Sequence, residues 1–307
     1  MKESDLNLLE KILWLRMAQV IINELCKSKS FLVPIHLALG HETLAVAVDK
    51  VMKQSDKLFL SHRNVHYNLI KMGTLKEELD EYYLKESGIA GGRLGSMNLF
   101  NQSKNITYTS NILGNNLPVG CGYALGNKVK NEDGVTFIVT GDGAVEEGSF
   151  YESILFLASH SLPVVIIIED NDWSLATQKK ERRSNIDFSK LANSFSIDYS
   201  YLQGNDPFLY RNEIELIRNR AFINKKPAII EVKLTTLGYW HMDHADFPEG
   251  KFINYHAGSA PNVYQTEYPL LEDSDNDPLF ILKKYLPIDD LKNISKRLAK
   301  SLKEEIK

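Results

Sequence analysis

The stretch Gly141-Asp142-Gly143-Ala144, followed by Asp170-Asn171-Asp172-Trp173, constrains the fold of this chain more than any other feature. Residues Val135 to Thr140 form an apolar run that ends at the first glycine. A Gly-Asp-Gly turn follows, then a helical pattern over Ser149 to His160. A second apolar run, Val164 to Glu169, then delivers an amide. Short, apolar runs suit strands buried on both faces. A right-handed crossover would set the two strands side by side and parallel. Pro227 to Leu234, with Ile229, Ile230 and Val232, reads as a later strand of the same kind. The expected fold is therefore α/β, a doubly wound, mainly parallel sheet with helices on both faces. In such sheets ligands gather at the carboxyl ends of strands. Asp142 and Asn171 would stand there as neighbours.

Magnesium takes hard oxygen donors in an octahedron and often shares them with phosphate groups. The Asp142 carboxylate, the Asn171 side-chain oxygen and a backbone carbonyl near Trp173 would be the protein ligands. The remaining positions would go to phosphate oxygens and water. Gly141 and Gly143 let the backbone approach an anion closely. The amides of Gly143 and Ala144 can face phosphate near the start of the next helix. A Gly-Asp-Gly turn alone is commonplace. Strand, turn, helix, strand and amide in register point to a diphosphate carried by a metal.

The rest of the chain fits one domain spanning residues 1–307, with an amino-terminal helix and a carboxyl-terminal helical extension. Apolar residues recur at steps of three and four over Asp5 to Leu25 and over Ile288 to Ile306. His41 to Met52 and Leu75 to Leu84 are further helix candidates. Glycine and asparagine are frequent between Gly88 and Gly126, as expected where backbone meets a ligand. Residues 238–277 show no clear period but hold many aromatics, so they read as an ordered active-site or interface loop.

A net charge of −4 argues against nucleic acid as a partner. Two cysteines without metal spacing suit a reduced compartment. Charges at Lys2, Glu3, Asp5, Glu10, Lys11 and Arg16 interrupt any signal-peptide core. The longest aliphatic run, Val164 to Ile168, is too short for a membrane span. The expected setting is cytoplasmic, with no membrane partner.

On these residues the chain resembles the thiamine diphosphate superfamily, and within it the alpha subunits of 2-oxoacid dehydrogenase first components. The family motif is Gly-Asp-Gly, a spacer of this length, and Asn-Asn. Asp170 replaces the first Asn here, while Asn171 keeps the second. The likeness covers roughly residues 30 to 235. His36-Leu37-Ala38-Leu39-Gly40-His41-Glu42 is similar to the family's His-x-x-x-Gly-Gln-Glu. Gly91-Gly92-Arg93-Leu94-Gly95-Ser96-Met97-Asn98 is similar to its Gly-Gly-x-x-Gly-Ser-Met-His loop. Asn111-Ile112-Leu113-Gly114-Asn115-Asn116-Leu117-Pro118 stands where the family has Gly-Ile-Val-Gly-Ala-Gln-x-Pro, and Ser61-His62-Arg63 where it has Tyr-Arg.

The resemblance implies thiamine diphosphate and magnesium as cofactors. His62, Arg63, Asn111, Leu113, Gly141, Asp142, Gly143, Ala144 and Asn171 would bind the former. Asp142, Asn171 and Trp173 would hold the metal. The backbone at Asn111 and Leu113 would hold the aminopyrimidine, and Arg63 would clamp phosphate, the alternative for Arg63 being a surface ion pair. His36, and after it His244, are the expected catalytic histidines, with titration near neutral pH suited to proton transfer. Glu42 matches a position in the diphosphate-binding chain rather than the glutamate that protonates the pyrimidine. That glutamate is expected on an obligate beta-like subunit carrying the pyrimidine-binding domain, and heterotetramers are the expected assembly.

The implied activity is decarboxylation of a small 2-oxo acid and transfer of the acyl group to an acceptor, with a lipoyl carrier as a further partner. After Leu234 the likeness weakens. Tyr255-His256-Ala257-Gly258-x-x-Pro261 is similar to a stretch of transketolases. A split transketolase-type subunit acting on an aldehyde or sugar is therefore an alternative. A non-catalytic cofactor-binding assembly subunit is an alternative of another class.

Overall fold

The computed structural model describes residues 2–306, without the side chain of His244. The side chain of that histidine, expected to be catalytic, therefore lies outside what is described, and only its backbone is placed. The strands in chain order are β1 (Lys57–Ser61), β2 (Ile106–Ser110), β3 (Thr136–Gly141) and β4 (Val164–Asp170). A short ladder of β5 (Trp173–Ser174) and β6 (Thr177–Gln178) follows, then β7 (Asp198–Leu202) and β8 (Ala228–Lys233), then a hairpin of β9 (Tyr239–His244) and β10 (Phe247–Asn254). The main sheet has the order β2-β1-β3-β4-β8-β7, and all its pairings are parallel.

The alternation of side chains along these strands builds two cores. Leu58 and Leu60, Phe137 and Val139, Val165 and Ile167, and Ala228 and Ile230 face one cluster. Phe59, Ile138, Ile166, Ile168 and Ile229 face the other. Helices Glu3–Lys27, Glu42–Val51 and Pro207–Asn224 cover the first face, and helices Asn116–Lys130 and Gly148–His160 the second. The sheet is thus doubly wound, as the continuous apolar runs of β3 and β4 imply. Burying one such aliphatic side chain contributes about 1.5–3 kcal/mol.

From β1 the chain runs outward to β2 and returns on the other side of β1 to make β3. The winding direction reverses between β1 and β3. This is the point where doubly wound sheets open a crevice at their carboxyl edge. His62, Asp142 and Asn171 each follow directly on the last residue of one of these central strands.

Two expectations need correction. Residues 238–277 are not all loop, because β9 and β10 form an antiparallel ladder there. The glycine-rich stretch up to Gly126 includes the helix Asn116–Lys130. Its glycines serve packing as well as openness. A Cβ on Gly120 would lie 2.6 Å from Ile138 Cδ1, so the glycine lets the helix come down onto β3.

Candidate active site

A cleft opens at the switch point, lined by Ser61, His62 and Arg63 after β1, by Ile112–Gly114 after β2, and by Gly141–Ala144 after β3. Glu169, Asn171, Trp173, Ser174 and His256 complete it. The sequence expectations for His62, Arg63, Leu113, Gly141, Asp142, Gly143, Ala144, Asn171 and Trp173 therefore fall on one surface. Asn111 is exposed and is not among the lining residues.

Asp142 is 3% exposed. Burial, reinforced by the nearby Asp170 carboxylate, pushes its carboxyl up to about 7, against the pull of Arg182, Lys179 and Arg183. Arg182 approaches one Asp142 oxygen at 2.9 Å. It is presented by the short helix Lys179–Arg182, which follows the β5–β6 ladder. Glu146 braces both Arg182 and Arg183 at 3.1 Å. Lys179 lies 2.5 Å from Asp170, so the helix is pinned over the strand ends by two ion pairs. At Gly141 nothing stands within 4 Å of where a Cβ would be, which leaves bare backbone open to a ligand.

Asn171 has its amide fixed at both ends. Its Nδ2 donates to Thr236 Oγ1 at 3.1 Å, and its Oδ1 accepts from the Trp173 amide at 3.0 Å. The Asp142 carboxylate and the Asn171 oxygen offer the hard donors magnesium prefers, and they come from neighbouring strand ends. These residues could hold the metal, with Arg63 as the cationic wall. Arg63 is 8% exposed. It donates to the carbonyls of Leu37 and His256 and makes no ion pair among the described residues. The surface ion pair considered for it is absent there.

Three histidines meet beside the cleft: His62 and His256 line it, and the buried His36 packs next to them without lining it. The His36 ring lies 4.9 Å from that of His62 and 5.1 Å from that of His256. Burial and the Arg63 guanidinium bring His36 down to about 2, and His62 and His256 down to about 4. At pH 7 all three are neutral, each able to donate and accept. The expected titration of His36 near neutrality does not hold in this environment. His256 is set in place by Tyr255, whose hydroxyl donates to the Gly258 carbonyl at 2.7 Å and accepts from the Leu37 amide. Phe252 of β10 packs its ring 6.0 Å from that of Trp173, so the hairpin segment contributes to the site.

From Glu169 in the cleft lining a second group, which the sequence did not reveal, runs inward. Glu169 accepts from Tyr67 Oη at 3.0 Å and faces His66 Nε2 at 3.2 Å and His41 Nδ1 at 3.5 Å. Burial opposes its charge, but the two histidines hold its carboxyl well below the usual range. A charge ending a fully apolar strand was the available signal for it.

The family model of the dehydrogenase E1 component matches residues 10–246. The pyruvate dehydrogenase E1 component subunit alpha of Rickettsia felis is 31% identical, over 89% of this chain and 80% of that protein. The mitochondrial subunit alpha-1 of the same component in Arabidopsis thaliana is 25% identical over 71% of this chain and 55% of its own length. Among solved structures, transketolase from Campylobacter jejuni matches with a TM-score of 0.55 at 16% identity, over 74% of this chain. The present chain spans 37% of that transketolase, and the likeness is one of fold.

Proposed function

The chain belongs to the dehydrogenase E1 component family, and on that premise we propose that it is the alpha-like subunit of a thiamine diphosphate-dependent enzyme. The reaction is decarboxylation of a small 2-oxo acid with transfer of the acyl group to an acceptor. The observation that carries this reading is the cleft at the β1/β3 switch point, where Asp142 and Asn171 share one surface with Arg63 and the Gly141–Ala144 backbone. When bound, the cofactor supplies the carbanion nucleophile and the electron sink. This chain's residues bind and orient. Asp142, Asn171 and the Trp173 carbonyl hold magnesium, and Arg63 and His62 face the diphosphate. The neutral imidazoles of His36, His62 and His256 offer hydrogen bonds to the reacting carbonyl and its proton.

The rim formed by Ile112 and Leu113 is 66% and 46% exposed. Aliphatic side chains this open beside a cofactor cleft suit a second wall from another chain. A beta-like subunit carrying the pyrimidine-binding domain and its glutamate would provide that wall. A 2-oxo acid then enters a site made by two chains, and a lipoyl group is the natural acceptor. The setting in this reading is cytoplasmic.

A second reading rests on His256, which belongs to the transketolase-like stretch and lies among the three histidines. Neutral imidazoles suit a hydroxylated substrate, and a ketol transferase would use them so.

The test is co-expression with the partner and assay against a panel of 2-oxo acids and sugars. Release of carbon dioxide supports the first reading, and aldehyde-dependent transfer without it supports the second. Asp142→Ala is expected to abolish magnesium-dependent cofactor binding in calorimetry while leaving the thermal transition nearly unchanged. Unaltered affinity would refute the role given to Asp142. Turnover by the single chain would refute the two-chain site.

A further inference from the structure

Among the described residues, two groups of three metal-ligating side chains come together. One is His41, His66 and Glu169. Its imidazoles are fully buried, and its carboxylate is committed to the Tyr67 hydroxyl. The other is His36, His62 and His256. Each of these rings offers one nitrogen, and the three nitrogens lie within 4.8 Å of one another. The ring centres stand 4.9, 5.1 and 6.0 Å apart. In a tetrahedral zinc centre, with Zn–N of about 2.0–2.1 Å, ligand nitrogens are about 3.3 Å apart. Closing the trio onto an ion therefore takes no more than about 1.5 Å between any two nitrogens.

The backbones that carry these rings are already tied together. The Gly258 amide donates to the Ile35 carbonyl at 2.8 Å, and the Leu37 amide to the Tyr255 hydroxyl at 3.2 Å, so the His256 segment holds His36 from both sides. Asn64 Nδ2 donates to the His62 carbonyl at 3.1 Å, and Arg63 Nη2 to that of His256 at 3.1 Å. His36 is 6% exposed, and its Nδ1 is buried with no hydrogen-bond partner among the described residues. Buried side-chain nitrogens normally have one.

We propose that His36, His62 and His256 form a binding site for a zinc-class divalent ion, separate from the magnesium site read at Asp142 and Asn171. Imidazole suits zinc and neighbouring transition metals, whereas magnesium takes oxygen. Burial and Arg63 keep the three rings neutral at pH 7, which is the ligating form. The Arg63 charge also opposes a dication, which suits reversible rather than permanent occupancy. His62 and His256 line the cleft, so the fourth position of the ion faces it and is open to water or a small anion. An ion there takes the lone pairs that the imidazoles would offer a substrate, and so plugs the cleft. That consequence rests on the substrate role read for the histidines; the binding itself does not.

The test titrates zinc calorimetrically into the full chain, without cofactor, magnesium or partner, so its outcome is independent of the reaction assigned above. His62→Gln and His256→Gln should each weaken zinc binding by at least about tenfold, since loss of even an outer-shell partner costs that much. Asp142→Ala should still bind zinc. Wild-type affinity in both histidine variants overturns the site. Loss of binding in Asp142→Ala with retention in the histidine variants places the ion at the strand ends and overturns it too. X-ray absorption of the zinc-loaded wild-type chain should show three imidazoles around the metal. A thiolate, or fewer imidazoles, is incompatible with the trio. Should a histidine variant fail to fold, this wild-type spectrum decides.

Discussion

Glu78 holds a proton at neutral pH. Its side chain is fully buried, and burial, joined by the neighbouring Glu81, drives its carboxyl up to about 8 against a hydrogen bond from Tyr82. The unfolded chain would release that proton near pH 4.3. Between the two values the folded state binds one proton more, so the contribution to stability is complete below pH 4.3. It is lost as pH rises through 8, at up to about 1.4 kcal/mol per pH unit. Denaturant titrations at pH 6 and pH 8 should show this fall, and Glu78→Gln should flatten it. Equal slopes in the two proteins would exclude Glu78 as the source. Arg182 offers a second residue-level test. Its guanidinium stands on Asp142, where a cation would compete with it. Arg182→Ala should therefore raise magnesium affinity, measured without cofactor, by roughly several-fold. Weaker binding would instead assign Arg182 to the ligand. Asp142, Asn171 and Arg63 were legible in the sequence because their neighbours form local motifs. Thr236 and His41 were not, since 195 positions separate them and chain packing alone joins them.

At the level of elements, the helix Asn116–Lys130 sets propensity against packing. Replacing glycine by alanine in a helix interior gains about 1 kcal/mol. At Gly122 the space beyond the missing Cβ is empty, so Gly122→Ala should raise the melting temperature. At Gly120 the same change meets Ile138 Cδ1 at 2.6 Å and Cγ1 at 2.8 Å. Ile138 is fully buried and has no free direction. Overpacking of that kind costs about 1–3 kcal/mol, so Gly120→Ala should lower the melting temperature. Shifts of the same sign in both variants would show that propensity alone governs this helix. The conflict also explains what the sequence could convey. β3, β4 and β8 were recognisable because buried parallel strands are unbroken apolar runs. The helix at 116–130 was hidden by Gly120, Gly122 and Gly126, which read as loop until the sheet beneath them is known. The hairpin β9–β10 lacked a period because much of it is exposed. The Gly-rich loop at 88–95 is ordered by Glu81, whose carboxylate accepts from the amides of Ala90, Gly92, Leu94 and Gly95 at 2.8–3.1 Å.

Across the whole molecule, Arg16 ties the ends of the chain together. Its fully buried guanidinium meets Glu42 at 2.6 Å and 3.0 Å, Asp277 at 3.0 Å and 3.2 Å, and the Pro269 carbonyl at 3.1 Å. Asp277 in turn accepts from the Leu279 amide at the start of the helix Pro278–Leu282. Removing one member of a buried charge cluster typically costs about 3–5 kcal/mol, because its partners stay buried without compensation. Arg16→Leu should lose that much in denaturant titration. A loss below about 1 kcal/mol, the range of exposed pairs, would mean that water reaches the two carboxylates. The same cluster orders events during synthesis. Arg16 leaves the ribosome 261 residues ahead of Asp277, and translation at ordinary speed puts roughly 13 to 52 s between them. Through that interval the guanidinium has Glu42 but lacks Asp277 and the Pro269 carbonyl, and the first helix keeps part of its aliphatic stripe uncovered, a natural client for a chaperone.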